Sequence, residues 1–435
     1  MVIAVPDQLR PRGSVTSAPP RRAASVRRTV TMDFTWPDGL RGDTVLDGRA
    51  RDLRTNDDGG TTVLAAASLG LVSDNRRVIR RISSTPLLPG RQALVGESAM
   101  SGFRRRLSEV SAAATAAGTP LYQLLDDVPG ATLVSGAAWQ RWYDMDRYLE
   151  IKADVSHRVM TDVCTGYQHG SSALNPDGTL RWHQGRQPAV DIDAVDDDLA
   201  WHQHAAPAGV AMRRARRIDV WLDGPVIHVD AFFQDSSTLP EGGRQSIHEY
   251  TLTAAADLGT GTLRTVTPVP RVLPYDECPL ATRNVAALAG LPLSELRGAV
   301  LARLRGPLGC THLNDMLRAL AAVPALAAQL RLRGLRGAYR AGWPQSSRGL
   351  QSPVVACLSV RTPPGITGAR HPAAGSAPRP ALRHAGRLGN ASGPRPRPAV
   401  REFAPARCGR RQRQDRLRRR ARTLARHERP IRGCA

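Results

Sequence analysis

The stretch IDVWLDGPVIHVDAFFQ, Ile218–Gln234, decides the architecture. Ile218, Val220 and Leu222 hold alternate positions and run into Asp223-Gly224, a two-residue hairpin signal, and Val226–Gln234 returns as the partner strand. Ser246–Thr253 and Thr262–Val269 extend the pair into an antiparallel meander. Upstream, Val30, Met32, Phe34 and Trp36 alternate with Thr29, Thr31, Asp33 and Thr35 in a strand closed by Pro37-Asp38-Gly39. Thr44–Leu53, Thr61–Ala66 and Val78–Ile82 read as further strands, with turns at Asp58-Gly59-Gly60 and Asp74-Asn75.

Helical spacing separates these two groups. Phe103, Leu107 and Val110 recur on one face, with Ser101 as the expected cap and Gly118 as the stop. Leu121–Asp127 and Ala131–Tyr143 read as helical segments split by Pro129-Gly130. Residues 165–210 are loop-like and mark a sub-boundary. Beyond Pro279 the period turns helical again through Asn284–Leu291, Leu293–Leu304 and Thr311–Leu330. The expected class is α+β: antiparallel strands and a meander, central helices and a helical C-terminal segment.

Charge divides the chain. Residues 331–435 hold 25 Arg against three acids, and so carry +22 of the formal +23. The first 330 residues are near neutral, with 36 basic and 35 acidic side chains. The last segment also has twelve prolines and no sustained period, and is expected to be a disordered tail, either a basic extension or an out-of-frame translation. A third reading makes it a non-specific nucleic-acid arm built on Arg416 to Arg420, with only Tyr339, Trp343 and Phe403 to stack on bases. Residues 1–26 read as a disordered lead, leaving 27–330 as the globular body. Lys152 is the one lysine, and the Arg preference reads as coding bias in a GC-rich genome. Leu64–Val72 and Ala319–Leu330 are too short to span a bilayer, so a cytoplasmic location without a membrane partner is expected. Of six cysteines, Cys164, Cys278 and Cys310 fall in the body, an odd number at wide spacing that does not suggest a disulfide scaffold.

Chemistry concentrates in Glu277-Cys278-Pro279 and Gly309-Cys310-Thr311-His312-Leu313-Asn314-Asp315. Pro279 suits a first helical turn and Thr311 suits an N-cap, so both thiols should lie at helix N-termini, where partial positive charge favours thiolate. His312 adds an imidazole two residues from Cys310. Cys278, Cys310 and His312 are therefore the candidate metal ligands, for Zn or an iron–sulfur centre, although no CxxC is present and the fourth ligand is missing. Two buried thiols and a backbone-satisfied histidine are the competing reading, and a disulfide is a third. Cys164, following Asp162, is a candidate third thiolate.

A second constellation places His228 with Asp230 on one strand face and His248 with Tyr250 on another, converging only if the register allows. A polar outer sheet face competes with it. The acidic run Asp191, Asp193, Asp196, Asp197 and Asp198, near His202 and His204, lacks an EF-hand pattern and reads as a solvated loop. Asp126-Asp127 reads as a helix end. Gly96-Glu97-Ser98-Ala99-Met100 fails as a nucleophile elbow at Met100, and neither a G-x-G-x-x-G opening a helix nor a P-loop occurs.

RRTVTMDFTWPDG (27–39), GRARDL (48–53), LYQLLDDVPGATLVSG (121–136), HEYT (248–251), ECP (277–279) and GCTHLND (309–315) resemble an uncharacterised bacterial family, the domain of unknown function number 2889. The resemblance spans roughly residues 27–330. It implies a family domain ending near Leu330, with the tail foreign to it, and it implies no activity. The chain departs from the family pattern at Gln234 and Ser237, where Arg and His are expected. Function stays open between a metal- or thiol-dependent protein using Cys278, Cys310 and His312 and a non-catalytic ligand-binding or interaction domain.

Overall fold

The computed structural model describes residues 3–112, 118–143, 159–181, 187–190, 192, 197–204 and 206–331. The expected tail lies outside them, apart from Arg331, as do Asp191, Asp193 and Asp196. Among the described residues, one sheet of nine strands is formed by β1 (Ser25–Thr35), β2 (Thr44–Thr55), β3 (Thr61–Ser73), β4 (Ile79–Thr85), β5 (Gln187–Pro188), β6 (Ala211–Asp223), β7 (Val226–Thr238), β8 (Arg244–Asp257) and β9 (Leu263–Val272). The order is β4-β3-β2-β1-β6-β7-β8, with β5 and β9 both pairing the outer edge of β8, and every pairing is antiparallel. Two meanders therefore join through β1 and β6. The fold is α+β, as the alternation of the strands implies.

Helices α1 (Phe103–Val110), α2 (Pro120–Ser135), α3 (Leu296–Arg303), α4 (Thr311–Ala319) and α5 (323–331) complete the described body, with a 3-10 stretch at Cys278–Leu288. Pro129 does not split α2, contrary to expectation. The helix is buried on nearly all sides, against β1, β2, β3 and α4, and that burial outweighs the roughly 3 kcal/mol cost of an internal proline. Gly48 on β2 brings it close, since a Cβ there would lie 3.0 Å from the Leu124 side chain. Thr119 caps α2 by accepting from the Tyr122 N–H, whereas α1 begins after Gly102 at φ 80° rather than on Ser101.

Strand β1 is buried on both faces. Val30, Met32 and Phe34 enter the core with Leu46, Leu69 and Leu124. The opposite face is polar and also covered: Thr29 and Thr31 hydroxyls sit 2.8 Å from the two ring nitrogens of His202. Burial, with like charge from His204 and nearby arginines, lowers His202 to about 3, so it is neutral. The lead expected to be disordered helps to make this cover. Val15 N–H donates to Glu249, Arg21 pairs with Asp197, and the carbonyls of Pro19 and Pro20 accept from Arg27. Its prolines and lack of period concealed the contacts, because they are made through the backbone and isolated side chains.

The arginines correct a second expectation. Arg27 faces Asp219, Arg28 faces Asp52, Arg213 faces Asp33 and Arg214 faces Asp235, each pair at directly opposed positions on neighbouring strands. All four are buried forks with two N–H···O contacts of 2.6 to 3.1 Å. A planar guanidinium makes that double contact and an ammonium does not, so Arg here is chemistry rather than coding bias. Arg216 forks in the same way onto Asp127 of α2, at 2.7 and 3.1 Å.

Replacing Arg216 by Lys is expected to cost about 2–4 kcal/mol in urea denaturation, because a buried carboxylate loses its bidentate partner. Arg105→Lys, on an exposed side chain, should stay within about 0.5 kcal/mol.

Candidate functional site

The site grows from one row across the sheet. Met32, Arg214, Asp235 and His248 stand opposite one another in succession on β1, β6, β7 and β8. Register shifts between Asp235 and Ser236, where Ile247 is the extra residue on β8, and His248 keeps its place opposite the carboxylate. Arg214 donates to both oxygens of Asp235 at 2.8 and 3.0 Å, and its remaining nitrogen reaches Asp315 of α4 at 2.9 Å. Asp315 accepts from Arg104 of α1 at 2.7 Å, and Asp126 of α2 accepts from both Arg104 and Arg318. A chain of alternating charge thus clamps α1, α2 and α4 to the middle of the sheet.

That clamp positions the start of α4. Cys310 is its N-cap residue, with the Asn314 N–H donating to the Cys310 carbonyl at 2.7 Å. His312, one turn before Asp315, stacks on His248 with ring centroids 3.5 Å apart and planes at 18°. Its Nδ1 lies 3.9 Å from Cys310 Sγ and its Nε2 lies 3.7 Å from Asp235 Oδ2. His248 Nδ1 lies 3.4 Å from the same carboxylate oxygen. Tyr250, two residues beyond His248 on the same face, brings its hydroxyl to the Cys310 thiol.

The thiols and imidazoles open onto a cavity of about 300 Å³ whose wall includes Cys164, Cys278, Cys310, His248, His312 and Tyr275. Three separate segments deliver the cysteines. The Thr165 N–H donates to the Gly309 carbonyl at 2.8 Å, which sets the 164–165 and 309–310 peptide units side by side. Gly166 lies against Cys278, where a Cβ would fall 2.5 Å from its Sγ.

Burial dominates the titration here. It pushes Cys164 up to about 12 and Cys278 well above the ordinary thiol value. Cys310 is also raised by burial, which outweighs the backbone N–H groups of Leu313 and His312 and the Tyr250 hydroxyl. The helix N-termini therefore do not create resting thiolates, contrary to the expectation from sequence. His312 is held well below its ordinary value by burial and by His248. Burial would raise Asp235, but Arg214 and hydrogen bonding from His248 overcome it and keep the carboxylate ionised. The resting site holds protonated thiols and a neutral His312 beside a charge-compensated carboxylate.

Cys278, Cys310 and His312 thus share one cavity wall. The potential ligand atoms that lie within 4.8 Å of one another among the described residues belong to a different trio, Asp235, His248 and His312. His248 and Tyr250 reach the site, but His228 and Asp230 do not. His228 pairs with Ala255 and stacks on Trp221, and Asp230 pairs with Thr253 and contacts Arg217. The hairpin between Asp223 and Val226 imposes that register, leaving His228 seven positions along β7 from Asp235. Asp235 and Arg214 were missed because the strands run further than their apolar alternation: β7 continues to Thr238 and β6 begins at Ala211. An Arg–Asp pair at matching distances from the hairpin was the available signal. Gln234, on the other face, donates to Glu249, and Ser237 accepts from Gln245, so neither departure touches the site. Asp126 and Asp127 lie inside α2 and point to different arginines.

The architecture defines an α+β protein with a buried thiol–imidazole site on one sheet face. Residues 212–326 match the family described as a protein of unknown function (DUF2889), which bears out the resemblance over that stretch, with its HEYT, ECP and GCTHLND segments. No curated protein and no solved structure matches the chain. Among the described residues, no helix is long and apolar enough to cross a membrane.

Gly130 tests how tightly the clamp is built. A Cβ at this α2 position would lie 1.9 Å from Asp315 Oδ2 and 2.7 Å from Arg214 Nη1. Gly130→Ala should lower stability by about 2 kcal/mol or more in chemical denaturation, reversing the gain of roughly 1 kcal/mol that Ala brings to an unobstructed helix.

Proposed function

We propose that this is a cytoplasmic thiol-dependent protein in which Cys310 is the nucleophile, His312 its base and Asp235 the carboxylate that orients the base. The observation that supports this reading is the use of both His312 nitrogens: Nδ1 faces Cys310 Sγ and Nε2 faces the ionised Asp235. With the proton of neutral His312 on Nε2, on the Asp235 side, Nδ1 is the acceptor for the thiol proton as sulfur attacks a carbonyl carbon and the C=O π electrons move onto the oxygen. At 3.9 and 3.7 Å the two contacts are longer than working hydrogen bonds, and Nε2 makes none among the described residues, so the relay requires both distances to shorten. The backbone N–H groups of His312 and Leu313 already face the sulfur and stabilise its developing charge. Three free thiols in one body suit a reducing compartment.

Labelling with iodoacetamide, followed by peptide mapping, tests the assignment. Cys310 should react faster than Cys278, and His312→Gln should slow Cys310 labelling on the order of 10²-fold while the melting temperature identifies any unfolded variant. Because burial raises Cys310, the rate should keep climbing with pH beyond the ordinary thiol range, with no plateau at neutrality. An unchanged rate in folded His312→Gln removes the base from the mechanism.

The second reading is a metal site, formed by Asp235, His248 and His312 or by Cys278, Cys310 and His312. The 4.8 Å grouping of the first trio favours it. Ring geometry opposes it: the lone pairs of two nearly parallel imidazoles do not converge, and an ion between them would sit roughly half the 3.5 Å stacking distance off each plane. Elemental mass spectrometry of the full chain, purified without chelator, should find less than about 0.1 Zn or Fe per chain. Near-stoichiometric metal that disappears in His248→Ala or Cys278→Ala would replace the thiol reading.

A further inference from the structure

Two of the three thiols on the cavity wall are tied together through their backbones. The Thr165 N–H donates to the Gly309 carbonyl at 2.8 Å, and the Thr165 hydroxyl reaches the carbonyls of Gly309 and Pro307, each at 2.9 Å. Cys164 precedes the donor and Cys310 follows the acceptor, so one cysteine flanks each side of a single short hydrogen bond. Both are extended, with φ of −156° and −121°. Planar peptide units linked in this way hold their flanking α-carbons roughly 4.5–7 Å apart, and a disulfide spans about 4.4–6.8 Å. Both residues line the same cavity and both are free thiols. Cys278 is placed differently. Its N–H bonds within its own segment, to the Tyr275 carbonyl, and its sulfur is seated on Gly166. Cys164 is only partly buried, whereas the other two are buried.

We infer that Cys164 and Cys310 form a reversible disulfide, with Cys310 oxidised first by a small hydroperoxide and Cys164 as the resolving thiol. Hydrogen peroxide is small and uncharged, so it enters a cavity of about 300 Å³ at low desolvation cost. The Cys310 sulfur attacks one peroxide oxygen as the O–O bond breaks. The thiol proton leaves with the other oxygen as water, and the sulfur becomes a sulfenic acid. The Cys164 sulfur then attacks the Cys310 sulfur, an S–S bond forms and the S–O bond breaks. Hydroxide departs with the Cys164 proton as a second water. Two thiols are oxidised and one peroxide is reduced. The disulfide masks the sulfur that attacks the carbonyl carbon, so oxidation switches that chemistry off. The order of events rests on Cys310 as the nucleophile, whereas the bond itself needs only the two thiols.

Treating the reduced full-length protein with hydrogen peroxide, blocking the remaining thiols with N-ethylmaleimide and mapping unreduced peptides tests it. A linked Cys164–Cys310 peptide is expected as the main cross-link among Cys164, Cys278 and Cys310, and it should survive Cys278→Ser. Dithiothreitol should cleave it and restore Cys310 labelling by iodoacetamide. In Cys164→Ser the sulfenic acid persists, so dimedone should label Cys310 at least about tenfold more than in the unaltered chain. Cys164→Ala gives the same readout should the melting temperature show that the serine variant does not fold. A Cys278–Cys310 link in its place, equal dimedone labelling with and without Cys164, or no oxidation of Cys310 overturns the inference. Labelling of Cys310 that depends on His312, without this cross-link, sinks the inference alone. The cross-link, with Cys310 labelling unaffected by His312→Gln, sinks the base assignment alone.

Discussion

Arg214 is a guanidinium with no exposed surface at the centre of a nine-stranded sheet, and its need for partners organises the molecule. Moving such a charge out of water costs several kcal/mol, recovered only when carboxylates meet it in good geometry. Asp235 supplies a fork on the neighbouring strand and Asp315 a third contact from α4. Because Asp315 also serves Arg104, and Arg104 serves Asp126, one buried charge specifies the seating of three helices. The missing side chain of Gly130 leaves the room through which this pairing passes.

The candidate site is a by-product of the same arrangement. Asp235, already neutralised by Arg214, is the carboxylate that the two stacked imidazoles face. Asp315 fixes α4 one turn after His312, so the clamp and the site share a helix. Low polarity then sets the protonation states: burial keeps the thiols protonated and His312 neutral, while the carboxylate with a guanidinium partner stays charged. This differs from a resting thiolate–imidazolium pair and follows from depth alone.

Much of the sheet was legible. The hairpin at Asp223-Gly224 and the alternation of Val30, Met32 and Phe34 describe local periodicity, which short stretches of chain carry by themselves. Strand ends were less so. Arg213, Arg214 and Asp235 interrupt the apolar pattern, and only their pairing across strands makes them good strand residues. Pro129 misled for the same reason, since its cost is local and the burial that offsets it is not. Of the candidate site, Cys278, Cys310 and His312 stood out by residue type, and His248 by its strand face. Asp235 did not, because an acidic residue at a presumed strand end looks like a turn.

By itself the sequence determined an α+β body with two antiparallel strand groups, a helical C-terminal segment and reactive side chains gathered near Cys310 and His312. These are properties of composition and short-range period. Tertiary structure alone decided that His312 stacks on His248 rather than meeting His228, that Cys164 joins the other two thiols, and that the helix-start cysteines are protonated. Register and burial govern those outcomes. A one-residue slip exchanges the two faces of a strand, and desolvation depends on everything packed around a group rather than on its neighbours in the chain.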